Sequence, residues 1–157
     1  MILTTHALVG AAIGKNVGSP WLIIPVSLVI HYFLDSFRHG EYFDDRTANI
    51  KNTYKKVLID LAVAFSIVLF IFYLNDFDFL ICRNILIGSF FSLLPDGLTL
   101  IYYWNPKIKI FAQIKKFHSW SHRYGKFPKY SPERQWNFRN SINDIFLSSL
   151  AVIFLLI

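Results

Sequence analysis

The segment VLIDLAVAFSIVLFIFYL, residues 57–74, decides which class of protein this chain belongs to. Asp60 is its single charged residue, and the rest is apolar apart from Ser66 and Tyr73. A helix that crosses a bilayer needs roughly 17–25 predominantly apolar residues, so the segment predicts a transmembrane helix. The composition agrees, because 54% of the residues are hydrophobic and 17% are charged, against about 25% charged in soluble domains.

Three other long apolar stretches and a short one accompany this segment. The short one, Ile2–Gly14, cannot cross a bilayer alone, but Gly10 and Gly14 would let a neighbouring helix approach closely. Of the long stretches, one is expected to continue to His39 and one to be interrupted by Pro95-Asp96-Gly97. We predict one domain, residues 1–157, with an all-α fold: a polytopic membrane bundle of four to five helices under a cytoplasmic helical or loop cap, residues 104–141. The long stretches are Trp21–Asp35, Ile81–Tyr103 and Ile142–Ile157.

Lys and Arg are distributed unevenly between the connections. They concentrate in residues 36–56 and 104–141, whereas the connection 75–80 has none and carries Asp76 and Asp78. Because cytoplasmic loops are enriched in Lys and Arg, we expect both basic segments in the cytoplasm and residues 75–80 outside. The sequence thus predicts a multi-pass protein of the cell inner (cytoplasmic) membrane whose main partner is the lipid bilayer. The bilayer also accounts for the basic, aromatic segment 104–141, so no nucleic acid partner is expected.

All five histidines and two aspartates fall on the cytoplasmic side of this topology, which was deduced from Lys and Arg alone. His31, Asp35 and His39 are spaced i, i+4 and i+8 and would share one helical face. His118 and His122 form a second i, i+4 pair. Imidazole and carboxylate at such spacing suit one or two divalent transition-metal ions, with zinc expected and Mn, Fe or Ni as alternatives. The predicted ligands are His6, His31, Asp35, Asp96, His118 and His122.

Polar residues beside these ligands are assigned catalytic or substrate-binding roles. His39 is expected to be a ligand or a proton shuttle, and Glu133 a general base. Arg38, Lys115 and Arg123 are expected to neutralise a phosphate group of the substrate. Lys116 could act in the same way. Alternatively, these four cations would only anchor the protein to anionic lipid headgroups.

Three further polar residues are expected to be structural. Asp60 and Asp144 would lie in the first turns of their helices, where the helix dipole favours a carboxylate. Cys82 is the one cysteine in the chain. A disulfide within the chain and a cysteine-based zinc site are therefore excluded.

Four motifs give the chain a resemblance to the membrane-bound, metal-dependent hydrolase family of bacteria and archaea, which includes the LexA-binding inner-membrane hydrolases. They are THALVG at 5–10, HYFLDSFRHG at 31–40, LLPD at 93–96 and HSWSHR at 118–123. The resemblance covers nearly the whole chain and implies a multi-helix inner-membrane protein with a metal site at these His and Asp positions. The family often has a Pro-Asp-x-Asp element, whereas Leu98 stands at its last position here, which implies one carboxylate ligand fewer.

The leading hypothesis for function follows from the chemistry of a dimetal centre. Two metal ions can clamp a phosphoryl group and activate water, so we expect hydrolysis of a phosphoester such as a lipid headgroup. A non-catalytic membrane adaptor stabilised by its metal is one alternative, and a metal-ion transporter is another. A transporter would need polar residues through 61–74, which is nearly bare of them. A bis-histidine haem site would not need Asp35 and Asp96 beside the histidines.

Overall fold

The computed structural model describes residues 1–40, 50–122, 133 and 137–157, and its regular structure in these ranges is helical, without a strand. This confirms the all-α prediction, and six helices lie within the described residues. One of them, α5 (Lys109–Ser121), lies within the predicted cap 104–141; it has apolar residues on only part of its circumference and therefore lacks the continuous apolar run that marks a spanning helix. The helices are α1 Leu3–Val17, α2 Pro20–Asp35, α3 Ile50–Leu74, α4 Phe79–Trp104, α5 Lys109–Ser121 and α6 Phe138–Leu156.

Three of these helices are long and apolar enough to cross a membrane, over Tyr54–Leu74, Phe79–Trp104 and Phe138–Leu156. The helix α2 is apolar but shorter, with 16 residues. Large apolar side chains are exposed on all three long helices, among them Phe65 and Phe90. An exposed apolar surface of this extent is typical of a protein whose solvent is lipid.

The short helix α1 lies at the centre of the bundle and contacts α2, α3, α4 and α6. Its backbone touches that of α4, since a Cβ atom at Gly10 would overlap the carbonyl of Gly88, and one at Gly14 the carbonyl of Asn84. Only glycine permits two helices to approach this closely. The close approach predicted for the small-residue face of α1 is confirmed.

An apolar core fills the half of the bundle toward the C-terminal end of α1. Leu8 and Ala11 of α1 belong to a cluster with side chains from each of the three long helices. Among these are Ile71 of α3, Ile85 of α4 and Leu155 of α6, and every one of the five residues is at most 1% exposed. The other half, around the N-terminal end of α1, contains most of the buried polar side chains. The bundle therefore has an apolar end and a polar end.

Carboxylates from two other helices cap the N-terminus of α1, whose own N-cap residue, Ile2, makes no side-chain cap. Asp144 of α6 accepts hydrogen bonds from the Ile2 N–H at 3.0 Å and the Thr5 hydroxyl at 3.1 Å. Asp60 of α3 accepts from the N–H and the hydroxyl of Thr4. The prediction that Asp60 and Asp144 occupy the first turns of their helices is wrong, because α3 and α6 begin several residues before the apolar runs.

The helix α4 continues through Pro95, so the predicted interruption at Pro95-Asp96-Gly97 is wrong. Proline removes the backbone donor that would bond the carbonyl four residues earlier, that of Phe91. Two other carbonyls of this stretch accept hydrogen bonds from side chains. The Thr99 hydroxyl donates to the Pro95 carbonyl at 3.0 Å, and the Ser92 carbonyl accepts a hydrogen bond from Nδ1 of His31 at 2.7 Å. Asp96 is therefore held on a continuous helix.

The helix α2 ends at Asp35, so its predicted continuation to His39 is also wrong. The Ser36 hydroxyl donates to the Phe33 carbonyl at 2.6 Å. A serine side chain that bonds a nearby carbonyl offers the backbone an alternative to the helix, and a turn follows. His39 therefore does not stack with His31 and Asp35 on one helical face.

Candidate metal site

The polar end of the bundle brings together all five histidines with Asp35 and Asp96. Ligand atoms within 4.8 Å of one another are offered by three overlapping groups: His6, His31 and Asp96; His31, Asp35 and His118; and Asp35, His39 and His122. The helices α1, α2, α4 and α5, together with the turn after α2 and the residue that ends α5, supply these side chains. Asp96 and His122 are half-buried and the other five are buried. These are the residues in which the sequence predicted metal-binding chemistry.

One oxygen of Asp35, Oδ2, faces three imidazoles. It lies 3.1 Å from Nε2 of His31, 2.9 Å from Nε2 of His118 and 3.3 Å from Nε2 of His122. The side chain of Asp35 is only 1% exposed. A buried carboxylate is costly unless cations or donors surround it. Whether each of these imidazole nitrogens carries a proton or a lone pair therefore determines whether this oxygen accepts hydrogen bonds or shares a cation with them.

The other oxygen of Asp35, Oδ1, faces the start of α1. It lies 2.8 Å from the α-amino group of Met1 and 3.1 Å from Nε2 of His6. The His6 ring stacks on that of His31 with centroids 4.2 Å apart. Asp35 thus joins α1 and α2 through one oxygen and presents the other to the remaining histidines.

Hydrogen bonds at Nδ1 fix the tautomers of three histidines. Nδ1 of His31 is 2.7 Å from the Ser92 carbonyl and Nδ1 of His39 is 2.8 Å from the Phe37 carbonyl. A carbonyl can only accept, so both Nδ1 atoms carry the proton. Because neutral imidazole has one N–H, Nε2 of each ring presents a lone pair, which is the arrangement typical of metal-binding histidines.

The third histidine, His118, is oriented by Thr99. Its Nδ1 lies 2.8 Å from the Thr99 hydroxyl, which already donates its proton to the Pro95 carbonyl. The hydroxyl must therefore accept from Nδ1 of His118. In the neutral ring, Nε2 of His118 then also presents a lone pair to the site.

The possible ligand atoms around His118 lie at the spacing of metal ligands. Nε2 of His118 lies 3.2 Å from Nε2 of His31 and 3.2 Å from Nε2 of His122, and 3.4 Å from Oδ1 of Asp96. Ligand atoms about 2.0–2.1 Å from a tetrahedral ion are roughly 3.3 Å from one another. Acceptors so close together repel unless a cation lies between them, and a single proton would bridge only one pair. The donor set therefore fits a divalent metal ion.

Burial keeps the outer histidines in the neutral form that metal binding requires. Burial lowers the pKa of His122 from 6.5 to about 4, although Asp35 acts in the opposite direction. The pKa of His39 is also held well below its usual value, chiefly by burial and then by the positive charge of the α-amino group. Nε2 of His39 lies 3.1 Å from Nδ1 of His122. Neutral imidazole is the form in which histidine binds a metal.

Two buried polar atoms of this site have no hydrogen-bond partner within the part of the chain that the structure describes. They are Nδ1 of His6 and Oδ2 of Asp96. An unsatisfied buried polar atom costs about 1–3 kcal/mol. Both residues belong to the group with His31, so among the described residues two members of that group carry a buried polar atom without a partner.

The predicted catalytic and substrate-binding residues are less closely grouped. Glu133 is half-buried and belongs to none of the three groups of described ligands. Arg38 is half-buried beside His39, and its carbonyl accepts a hydrogen bond from Asn143 at 2.7 Å. Lys115 is half-buried on α5. Arg123 lies outside the described residues, so its predicted role remains a prediction.

The groups that orient the histidines were not predicted from the sequence. These are the Thr99 hydroxyl and the Ser92 carbonyl of α4, and the α-amino group of Met1 at Asp35. Thr99 follows Asp96 by three positions, which places both on one face of a helix. That spacing would have identified Thr99 if α4 had been predicted to be continuous.

Comparisons of the chain with protein-family models, curated proteins and solved structures found no match.

Proposed function

We propose that this protein is a membrane-bound, metal-dependent hydrolase that acts on a phosphoester, such as a lipid headgroup, at the cytoplasmic face of the inner membrane. The single observation that carries the proposal is the convergence of the Nε2 atoms of three histidines on the buried Oδ2 of Asp35, at distances of 2.9–3.3 Å. Zinc is the proposed ion, because it prefers nitrogen and carboxylate ligands at this spacing. The overlapping ligand groups are compatible with one or two ions.

The residues of the site have separate tasks in this proposal. A bound divalent metal would polarise a phosphoryl oxygen and make water more acidic. Asp35 and His118 hold the ion, and the Nδ1 hydrogen bond of His118 keeps its lone pair directed at it. The substrate enters from the side of Asp96 and His122, whose side chains are 26% and 22% exposed. A position open to solvent on one side is typical of a catalytic site rather than a structural one.

His39 and three basic residues complete the proposed chemistry. His39 is a further ligand or a proton shuttle, since its Nε2 faces His122. Arg38 precedes His39 in the chain and neutralises the phosphate. Lys115 and Arg123 flank the two histidines at the end of α5 and are proposed to do the same. Glu133 remains the proposed general base.

Burial at the centre of the site favours a second candidate function, a non-catalytic adaptor that uses the metal only for stability. His6, His31 and Asp35 are 0% exposed, which is the degree of closure expected of a structural metal. The third candidate, a metal-ion transporter, is not favoured. The apolar cluster of Leu8, Ile71 and their neighbours fills the other half of the bundle, where a transport path would need polar groups.

Metal analysis of the purified protein tests the proposal. Wild-type protein is expected to retain at least one transition-metal ion per chain by mass spectrometry and to hydrolyse a generic phosphoester. Asp35→Asn is expected to lose the metal and the activity together, because the amide cannot supply a negative ligand. Asp76→Asn is the matched control, since Asp76 is exposed in the connection between α3 and α4. Its metal content and activity should equal those of the wild type.

The three candidates give different outcomes in this experiment. A hydrolase loses activity when a chelator removes the metal and regains it when zinc is restored. An adaptor binds metal and unfolds more readily without it, but hydrolyses none of the phosphoesters. Wild-type protein that folds and contains no metal would refute both ideas.

The proposed orientation has its own test. We propose that the protein crosses the membrane four or five times, with residues 51 and 126 in the cytoplasm and residue 76 outside. The support is the distribution of Lys and Arg. Single cysteines at these positions, in a Cys82→Ala background, are labelled in intact cells with an impermeant reagent. Labelling at 76 and protection at 51 and 126 are expected, and labelling at 126 would reverse the orientation.

A further inference from the structure

The helix α5 has two faces with different tasks. His118 is buried on the face that contacts α2 and α4. The opposite face exposes large apolar side chains: Trp120 is 75% exposed, Ile110 60% and Phe117 50%. Side chains of this size on an outward face need a partner other than water.

The position of α5 specifies what that partner is. The candidate span α4 ends at Trp104, and α5 begins at Lys109. The connection 105–108 is too short to carry α5 away from the membrane, because an extended chain covers at most about 3.6 Å per residue. With 13 residues, α5 is also too short to cross the bilayer. The helix therefore begins at the bilayer boundary, where aromatic side chains such as Trp120 are favoured.

Charge on α5 and on the connection before it indicates which lipids it meets. Lys107, Lys109 and Lys116 are exposed, and no acidic residue lies between Asp96 and Glu133 in the sequence. Basic residues on the polar side of an interfacial helix attract anionic lipids. The charge of α5 is therefore complementary to an anionic membrane surface.

A shallow groove on this face can contact part of one lipid molecule. It has a volume of about 420 Å³ and is lined by Gln113, Lys116, Phe117 and Trp120. The Phe117 and Trp120 rings stack with centroids 5.7 Å apart and form an apolar wall, while Lys116 supplies the cation. The groove thus offers apolar contact for an acyl chain next to a partner for a phosphate.

We propose that this groove binds an anionic phospholipid of the surrounding bilayer, with the headgroup phosphate at Lys116 and the acyl region along Phe117 and Trp120. The binding requires neither the metal nor hydrolysis and stands apart from the proposed activity. The groove is nevertheless adjacent to the site, because Phe117 contacts Tyr32 edge-on at 4.8 Å and Tyr32 contacts His31 at 5.2 Å. A lipid bound here would brace the helix that carries His118.

Competition between an anionic and a zwitterionic lipid for the protein measures its preference for the anionic one. The full chain in neutral detergent receives equal amounts of phosphatidylglycerol and phosphatidylcholine, and native mass spectrometry records the bound lipids. Wild-type protein is expected to retain mainly phosphatidylglycerol. Lys116→Glu should lower the preference about fivefold, which corresponds to about 1 kcal/mol for one basic residue at an anionic surface. Lys56→Glu makes the same charge change at an exposed position on α3 and should retain the wild-type preference.

Fluorescence quenching locates the lipid on α5. Phosphatidylglycerol with brominated acyl chains is expected to quench tryptophan fluorescence more than its phosphatidylcholine counterpart. Trp120→Phe should abolish that difference, and Trp104→Phe, at the exposed end of α4, should preserve it. Equal retention of both lipids, an equal loss in Lys56→Glu, or displacement by soluble glycerol phosphate would each overturn the proposal. Metal content of the same samples distinguishes this result from failure of the hydrolase proposal, because Lys116→Glu should keep the metal.

Discussion

The two halves of α1 are stabilised by opposite means. At its start, Thr4, Thr5 and His6 bond to carboxylates from α3, α6 and α2. Further along, Gly10 and Gly14 place their backbone directly against α4. The close packing of the two backbones is possible only because side chains are absent there. The polar half, in contrast, is stable only if each buried polar group has its hydrogen-bond partner. The packed half therefore fixes where the helices lie, and the polar half holds the chemistry that this placement permits.

The packed half should respond most strongly to a single methyl group. Gly10→Ala would push a Cβ atom into the backbone of α4 at Gly88. Overpacking typically costs 1–3 kcal/mol. Because the clash is with backbone, which cannot move aside as a side chain can, we expect a cost of about 3 kcal/mol for this variant. We expect that decrease in the free energy of unfolding, measured with denaturant in detergent micelles. Because the helices that carry the ligands would separate, metal content should fall as well.

Gly97→Ala is the control for this substitution. Gly97 lies on α4, and a Cβ atom there meets open space. Alanine is favoured over glycine within a helix by roughly 0.5–1 kcal/mol, so this variant should be as stable as the wild type or slightly more stable. Equal destabilisation by both substitutions would show that close approach of α1 and α4 is not the cause.

The polar half should respond to loss of one carboxylate. Asp144→Ala removes the acceptor for the Ile2 N–H and one acceptor for the Thr5 hydroxyl. We expect a loss of about 2 kcal/mol in the free energy of unfolding, since an unsatisfied buried donor costs 1–3 kcal/mol. Asp144→Asn keeps one acceptor oxygen and should recover part of the loss. Ser149→Ala, at an exposed position on the same helix, should stay within about 0.5 kcal/mol of wild type, and a similar value for Asp144→Ala would contradict the capping role.

The smallest expected effect is on the orientation of one ligand. Thr99→Val keeps the shape of the side chain but removes the oxygen that accepts from Nδ1 of His118. Loss of such a partner typically weakens metal binding 10–100-fold, and we expect about tenfold in a chelator competition assay. Thr99→Ser restores the hydroxyl and should restore the affinity. Unchanged affinity in the valine variant would mean that packing alone orients His118.

Spacing within the chain predicted some contacts of the site and not others. His31 and Asp35, four residues apart on α2, do meet at 3.1 Å, because the geometry of one helix turn fixes their distance. The same reasoning failed for His39, since it assumed that α2 continues past Ser36. His39 reaches the site through a turn and faces His122 instead, and no local pattern encodes that pairing.

By itself, the sequence predicted the apolar helices and the residues of the candidate metal site. Long apolar runs predict membrane helices because lipid offers no partner for polar side chains, and ionisable residues at the ends of such runs predict a cation because they are otherwise costly there. Only the tertiary structure decided that α1 is central, that α4 continues through Pro95, and that the Nε2 atoms of His31 and His118 meet at 3.2 Å. The physical reason is that residues far apart in the chain are brought together by helix packing. At this site that packing depends on the close contact between Gly10 and Gly88, which local spacing does not specify.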